Sequence, residues 1–200
     1  MKHLRYADLP DAEQKRLFLD IIWADRNVRA ALVAARDLAL PDWLVVSGVL
    51  YNAVWNALTG RPPGYGTKDI DLFYFDGDDL SYEGEDAVIA RAAPTFAHLT
   101  LPVEIRNQAR VHLWAPAKFG RACPQYLSSE HSVAHFASKT HAVGVRLLDD
   151  DQLQLTAPFG LDDIFSFRLT PNRVLDNRTT HQAKGLRAVT TWPEVTVEPW

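Results

Sequence analysis

Three short runs of β-branched and aromatic residues set the limits on what this chain can become. Trp43-Leu44-Val45-Val46, Asp69 to Phe75 and Pro102 to Asn107 each read as a strand, with residues at helical spacing between them. The first run stops at Ser47-Gly48, and Val49 to Leu58 follows with Leu50, Val54 and Leu58 on one helical face. The second run carries Lys68-Asp69-Ile70-Asp71-Leu72. Side chains alternate along a strand, so Asp69 and Asp71 share one face while Ile70 and Leu72 take the other, into a core. The third run sets Glu104 between Val103 and Ile105. A sheet flanked by helices accommodates this order.

The remaining pattern fits the same class. Leu17, Ile21, Val28, Leu32, Ala35 and Leu38 predict one or two helices over residues 11–40, ended by Pro41-Asp42. Gly60 to Gly66, with its glycines and Pro62-Pro63, is a loop. A helix is expected over Gly84 to Ala93, irregular chain over Ala115 to Pro124, and a helix over Ser129 to Ala137 capped by Ser128 or Ser129. Ala142 to Leu148 and Leu153 to Thr156 form a hairpin around Asp149-Asp150-Asp151, and short helices near Leu161 to Arg168 and Thr180 to Val189 follow. We expect one α/β (α+β) domain over residues 1–200. It has N-terminal helices at 11–40, a core at about 43–160 and a helical or hairpin extension at 161–200.

Composition narrows the function. With 47 % hydrophobic and 23 % charged residues the chain is neither collagenous, coiled-coil nor largely disordered. The single Cys123 allows no intramolecular disulfide and points to a reducing compartment. Charged residues interrupt any N-terminal signal core, and the apolar stretch from Trp43 to Trp55 is broken by Ser47, Gly48 and Asn52. A cytoplasmic protein without membrane contact is therefore expected. A net charge of −4 argues against extended DNA binding.

Two carboxylates about 7 Å apart on one strand face can share a divalent ion, and a hard cation such as Mg²⁺ relieves their repulsion. Glu104, on a strand about 4.8 Å away, can complete a site of three acids. Ser47-Gly48 lies where a strand passes into a helix, so free backbone N–H groups and the helix dipole favour a phosphate there. Gly48 permits close approach, and the Ser47 hydroxyl can donate to a phosphate oxygen. A phosphate cradle beside a carboxylate metal site is what metal-assisted phosphoryl or nucleotidyl transfer requires.

In this order, Val46-Ser47-Gly48, Asp69-Ile70-Asp71-Leu72 and Val103-Glu104-Ile105 resemble the motifs of the polymerase-β-like nucleotidyltransferase superfamily. More narrowly, Asn52-Ala53-Val54-Trp55-Asn56, the block Val103 to Trp114, and Ala142-Val143-Gly144-Val145-Arg146 resemble a bacterial nucleotidyltransferase-like family of uncharacterised substrate, over about Trp43 to Trp192. The resemblance implies a minimal nucleotidyltransferase fold, a small mixed sheet flanked by helices. It also implies transfer of an NMP group from an NTP such as ATP to an acceptor, with pyrophosphate released and two Mg²⁺ (or Mn²⁺) ions engaged. Asp69, Asp71 and Glu104 would be the catalytic metal ligands, with Glu104 also taking the acceptor's proton. Ser47, Gly48 and Lys68 would hold the nucleotide, and Arg61, Tyr65, Arg106, Asn107 and Arg110 are candidates for substrate contact. The acceptor could be a small molecule, a protein side chain or an RNA end.

Two departures stand out. The usual first glycine of the phosphate turn is Ser47, and the Arg61 to Gly66 loop lengthens the link from Gly48 to Asp69. Each residue also has a plainer use. Lys68 can offset local acidic charge, Glu104 can pair with Arg106 or Lys68, and Arg106, Asn107 and Arg110 can fix the sheet edge. A catalytically inactive nucleotide-binding or regulatory protein on this scaffold is the alternative function. Zinc held by Cys123, His131, His135 and His141 lacks the usual ligand spacing, and Ser47 lacks a nucleophile elbow.

Overall fold

The computed structural model describes residues 2–120 and 122–200. Its helices are α1 (Asp11–Ala24), α2 (Arg26–Asp37), α3 (Gly48–Thr59), α4 (Tyr82–Phe96), α5 (Val111–Phe119), α6 (Ser129–Val133), α7 (Asp162–Phe165) and α8 (Arg178–Thr191). Its strands are β1 (Leu44–Val46), β2 (Ile70–Tyr74), β3 (Val103–Asn107), β4 (Gly144–Leu147), β5 (Leu153–Thr156), β6 (Arg168–Leu169) and β7 (Thr196–Val197). The first five form a mixed sheet in the order β3-β2-β1-β4-β5. Only β2 and β3 run parallel within it, because α4 carries the chain back between them. This is the mixed sheet flanked by helices that the family resemblance implies.

Alternation divides the sheet between two environments. Val45 of β1, Ile70, Leu72 and Tyr74 of β2, and Ile105 of β3 join one large core with Phe18, Leu32, Leu50 and Trp55. Leu44 and Val46 face the other way and pack with Val133 and Ala142, partly covered by Phe73 and Phe136. The residues left on that second face of β2 and β3 are polar: Asp71, Glu104 and Arg106.

Local chemistry explains most boundaries. Asp25 breaks the predicted N-terminal helical stretch into two, because its carboxylate accepts from the backbone N–H groups of Asn27 and Val28 and starts α2. Ser81 caps α4 through Gly84, and Ser128, one of the two expected candidates, caps α6 through His131. The hairpin β4–β5 forms around Asp149 to Asp151 as expected. Other elements differ from the sequence reading. α5 runs through Ala115 to Phe119, the first half of the stretch expected to be irregular, with Pro116 inside it, while Gly120 and residues 122–124 are irregular as expected. The helix expected to reach Ala137 stops at Val133, and that expected near Leu161 to Arg168 is four residues long. Arg168–Leu169 instead pairs in parallel with Thr196–Val197, a two-stranded sheet too short to show any periodicity.

The turn from β1 into α3 is strained. Ser47 sits at φ 60° and ψ −117°, a region glycine enters freely and L side chains rarely do. Its N–H donates to the Val143 carbonyl at 2.8 Å, which pins it there. The strain falls where the resembling family carries glycine. Ser47→Gly is expected to stabilise the fold by about 1 kcal/mol, the relief of strain exceeding the entropy glycine gains in the unfolded chain. A lower urea midpoint for the variant would show instead that the hydroxyl contributes more than the backbone loses.

Candidate active site

A cleft of about 280 Å³ opens over the polar face of the sheet. Asp71 and Glu104 are direct partners across the parallel β2–β3 register, and Val46, which leads into Ser47, is opposite Asp71 on the other side. Residues opposite one another share a face, so β1, β2 and β3 together bring Ser47, Asp71 and Glu104 to one rim. All three line the cleft, as does Arg106. Asp69 lies one residue before β2, close enough for its charge to act on Asp71.

The electrostatics centre on Asp71. Burial lifts its carboxyl pKa to about 6; Asp69 and Glu104 add to the rise as like charges, while Lys184 and Arg106 oppose it. Lys184 comes from α8 and lines the same cleft. Protein crowding lowers the pKa of its ammonium, against the pull of Asp71 and Asp69, although the residue as a whole stays open to solvent. Glu104 is held loosely: among the described residues its ion-pair partner is Arg106 at 3.8 Å, and both side chains are about half exposed. That contact is one of the plainer uses the sequence allowed for Glu104.

Gly48 begins α3, and no side chain among the described residues caps that helix. A Cβ at Gly48 would meet only the Asn52 side chain, at 4.0 Å. Packing within the protein therefore does not require glycine there, whereas a ligand reaching the helix N-terminus would.

α8 is fastened at both ends, which is what places Lys184. Near its start, His181 Nδ1 pairs with Ser138 Oγ at 2.7 Å and Nε2 donates to the Glu198 carbonyl at 2.8 Å. Near its end, Arg187 donates to the Gly66 carbonyl at 2.7 Å and Trp192 Nε1 to Asn56 Oδ1 at 2.9 Å. Gly66 has φ 69°, and a Cβ on it would lie 2.5 Å from the Trp192 ring. The 60–66 loop thus docks on the end of α8. Arg61 pairs with Glu194 at 3.0 Å, and the Tyr65 ring packs edge-on to Trp192 at 6.1 Å. These contacts occupy Arg61 and Tyr65 away from the cleft lining. Lys68 is exposed on the approach to β2.

Asn107 and Arg110 are turned inward. Asn107 is 1 % exposed and bonds the backbone of Asp76 and Ala109. Arg110 forms a buried ion pair with Glu85 of α4 and donates to the Leu80 carbonyl at 2.9 Å. Glu85 also accepts the Asn107 N–H at 2.7 Å. Both residues fix the end of β3 to α4, the second of the two uses the sequence left open.

Sequence reasoning missed the other walls. α5 supplies Trp114 and Phe119, and the 122–136 segment supplies Tyr126 and Phe136. Lys118 lies 5.3 Å from the Trp114 ring and 5.6 Å from that of Phe119. Lys184 left a faint trace: it adjoins the inward stripe His181, Gly185 and Ala188 of α8. Among the described residues no three His, Cys, Asp or Glu side chains are drawn together as a ready metal site. His131 accepts from the Leu127 N–H, His135 donates to the His131 carbonyl, and His141, which lines the same cleft as Cys123 and His135, stacks on Tyr51.

A family model described as Nucleotidyltransferase matches residues 33–197. A structure solved by NMR, described as revealing a CCA-adding enzyme head domain, is similar to this one with a TM-score of 0.75. It is 24 % identical in sequence, over 98 % of this chain and 100 % of that one, a likeness that shows the fold. No curated protein matches the chain. No helix among the described residues is long and apolar enough to cross a membrane.

Proposed function

We propose, for a chain that belongs to the nucleotidyltransferase family, that it moves a nucleoside monophosphate group from an NTP to an acceptor and releases pyrophosphate. The observation that carries this reading is the register pairing of Asp71 with Glu104 beside the Ser47-Gly48 turn, all at one rim of one cleft.

The donor chemistry suits Mg²⁺ or Mn²⁺. Asp71 and Glu104 are hard oxygen ligands, and burial, with Asp69 and Glu104 beside it, disfavours the Asp71 charge in a way that a bound cation would offset. Asp71, Asp69 and Glu104 would hold the cation, Glu104 turning in from its loose contact with Arg106. When bound, a divalent cation makes the attacking oxygen more acidic and offsets charge on the leaving pyrophosphate. The protein's own part is positional. The N–H groups at the start of α3, bare at Gly48, receive phosphate oxygens. Lys184 lies within the same cleft and adds positive charge against the phosphate chain. The Trp114 and Phe119 rings offer flat faces to a base. Glu104, the more solvated acid, takes the proton of the acceptor hydroxyl. The single Cys123 favours a reducing compartment such as the cytoplasm.

Metal-dependent binding of NTPs, followed by pyrophosphate release with a panel of small-molecule, protein and RNA acceptors, tests the reading. Binding without release across the panel would favour the inactive alternative. Glu104→Gln is expected to lower turnover by about 10²-fold or more while changing nucleotide affinity little, as befits a group acting mainly in the transition state. Equal pyrophosphate release by parent and variant would remove Glu104 from the chemistry and leave it a surface partner of Arg106, worth about 0–1 kcal/mol.

A further inference from the structure

We infer that His141 is a binding residue of this cleft, donating a hydrogen bond from its imidazole to an oxygen of the nucleotide's phosphate chain. The inference rests on the reading above that the cleft takes a nucleotide, and it adds a ligand contact from a residue in none of the motifs.

His141 is 1 % exposed, yet it is among the residues lining the cleft, together with Ser47 and Lys184. Its Nδ1 is sealed from solvent and has no hydrogen-bond partner among the described residues. A buried polar atom left in this way costs about 1–3 kcal/mol, and for an imidazole that cost bears on which ring nitrogen carries the proton. A sealed N–H without an acceptor is rarer in proteins than an under-used acceptor, so the proton belongs on Nε2. That nitrogen is not among the buried atoms left without a partner, and on a residue lining the cleft it is the ring nitrogen we assign to the ligand.

The ring is fixed in place before any ligand arrives. It stacks on Tyr51 of α3 with centroids 4.9 Å apart and planes 27° apart. The His141 N–H donates to the Ser138 carbonyl at 3.1 Å, and its carbonyl accepts from Val143 at 2.9 Å. Val143 in turn accepts the Ser47 N–H, so one short segment holds both the imidazole and the strained phosphate turn. Burial first, then the nearby Lys184 charge, hold the His141 pKa well below its ordinary value. The group is thus a neutral donor. A neutral Nε2–H calls for an acceptor on the ligand, and Lys184 together with the bare N-terminus of α3 calls for a negative one. A phosphate oxygen meets both requirements.

The test uses inorganic tripolyphosphate as the probe, with the folded parent protein selectively ¹⁵N-labelled at histidine. On titration, the His141 Nε2 resonance is expected to shift as its proton enters a hydrogen bond and exchanges more slowly, while Nδ1 stays unprotonated. His141→Phe should weaken tripolyphosphate about 10- to 100-fold, the range for a hydrogen bond to a charged acceptor. His141→Gln, which restores an N–H donor, should recover part of it. An unmoved His141 signal at saturating tripolyphosphate overturns the inference without recourse to any variant, and so does unchanged affinity in a folded His141→Phe protein. Tripolyphosphate bound through His141 with no pyrophosphate release from any NTP would leave this contact standing and sink the transferase reading. Pyrophosphate release with a silent His141 would do the reverse.

Discussion

Asp71→Asn is expected to make the metal-free protein more stable at pH 7.5 and to abolish pyrophosphate release. The Asp71 pKa rises from 3.8 to about 6 on folding, first because the carboxyl is buried. A folded-state value above the unfolded one means that the folded protein holds the extra proton. The associated stability is complete below about pH 4 and is lost as the pH passes through 6. At pH 7.5 the buried carboxylate therefore costs the fold about 2 kcal/mol, after allowance for its partial contact with water. Asparagine has nearly the same shape and no charge. In EDTA its unfolding midpoint should exceed the parent's at pH 7.5 and converge with it near pH 4. Mg²⁺ with NTP should stabilise the parent by mass action and leave the variant unmoved. Turnover should fall by at least about 10³-fold, comparable to removing a principal charge-stabilising group. A variant that binds Mg²⁺–NTP like the parent would remove the basis of the proposed function.

The second large effect concerns stability alone. Arg110→Ala should cost about 3–5 kcal/mol, because it leaves Glu85 buried and charged beside the Asn107 backbone. Urea unfolding would measure this, and Arg110→Met combined with Glu85→Leu should recover part of the loss, the Asn107 N–H then lacking its Glu85 acceptor. A substrate-binding arginine would behave oppositely, with an unchanged midpoint and weaker ligand binding. That result would refute the structural role of the pair.

These two residues show what could be read from the sequence. Asp71 was legible because strand alternation is local: with Ile70 and Leu72 facing the core, its direction follows. Glu104 was legible for the same reason. Arg110 was not. Whether an arginine after a strand reaches into a cleft or into the protein depends on its partner, and Glu85 looks like any charged residue of an exposed helix until α4 packs beside β3. Lys184 was hidden by distance along the chain. It reaches the acids because Gly66, Asn56 and Trp192 dock the end of α8, contacts that no periodicity encodes. The small sheet of β6 and β7 failed to register because two residues are too few to establish a period. The departure at Ser47 was visible as a missing glycine, and only the backbone angle gave it an energetic meaning.

Trp114 has a further consequence, and it is optical. Of the six tryptophans, Trp43, Trp55 and Trp192 are buried in the core, whereas Trp114 forms a wall of the cleft with a lysine ammonium against its ring. The molecule therefore carries a fluorophore at the mouth of its own site and others shielded from the same quencher. A base sliding over that wall would dim and shift one emission component while the core indoles kept theirs. Occupancy of the cleft and integrity of the fold could then be followed separately in one unlabelled sample.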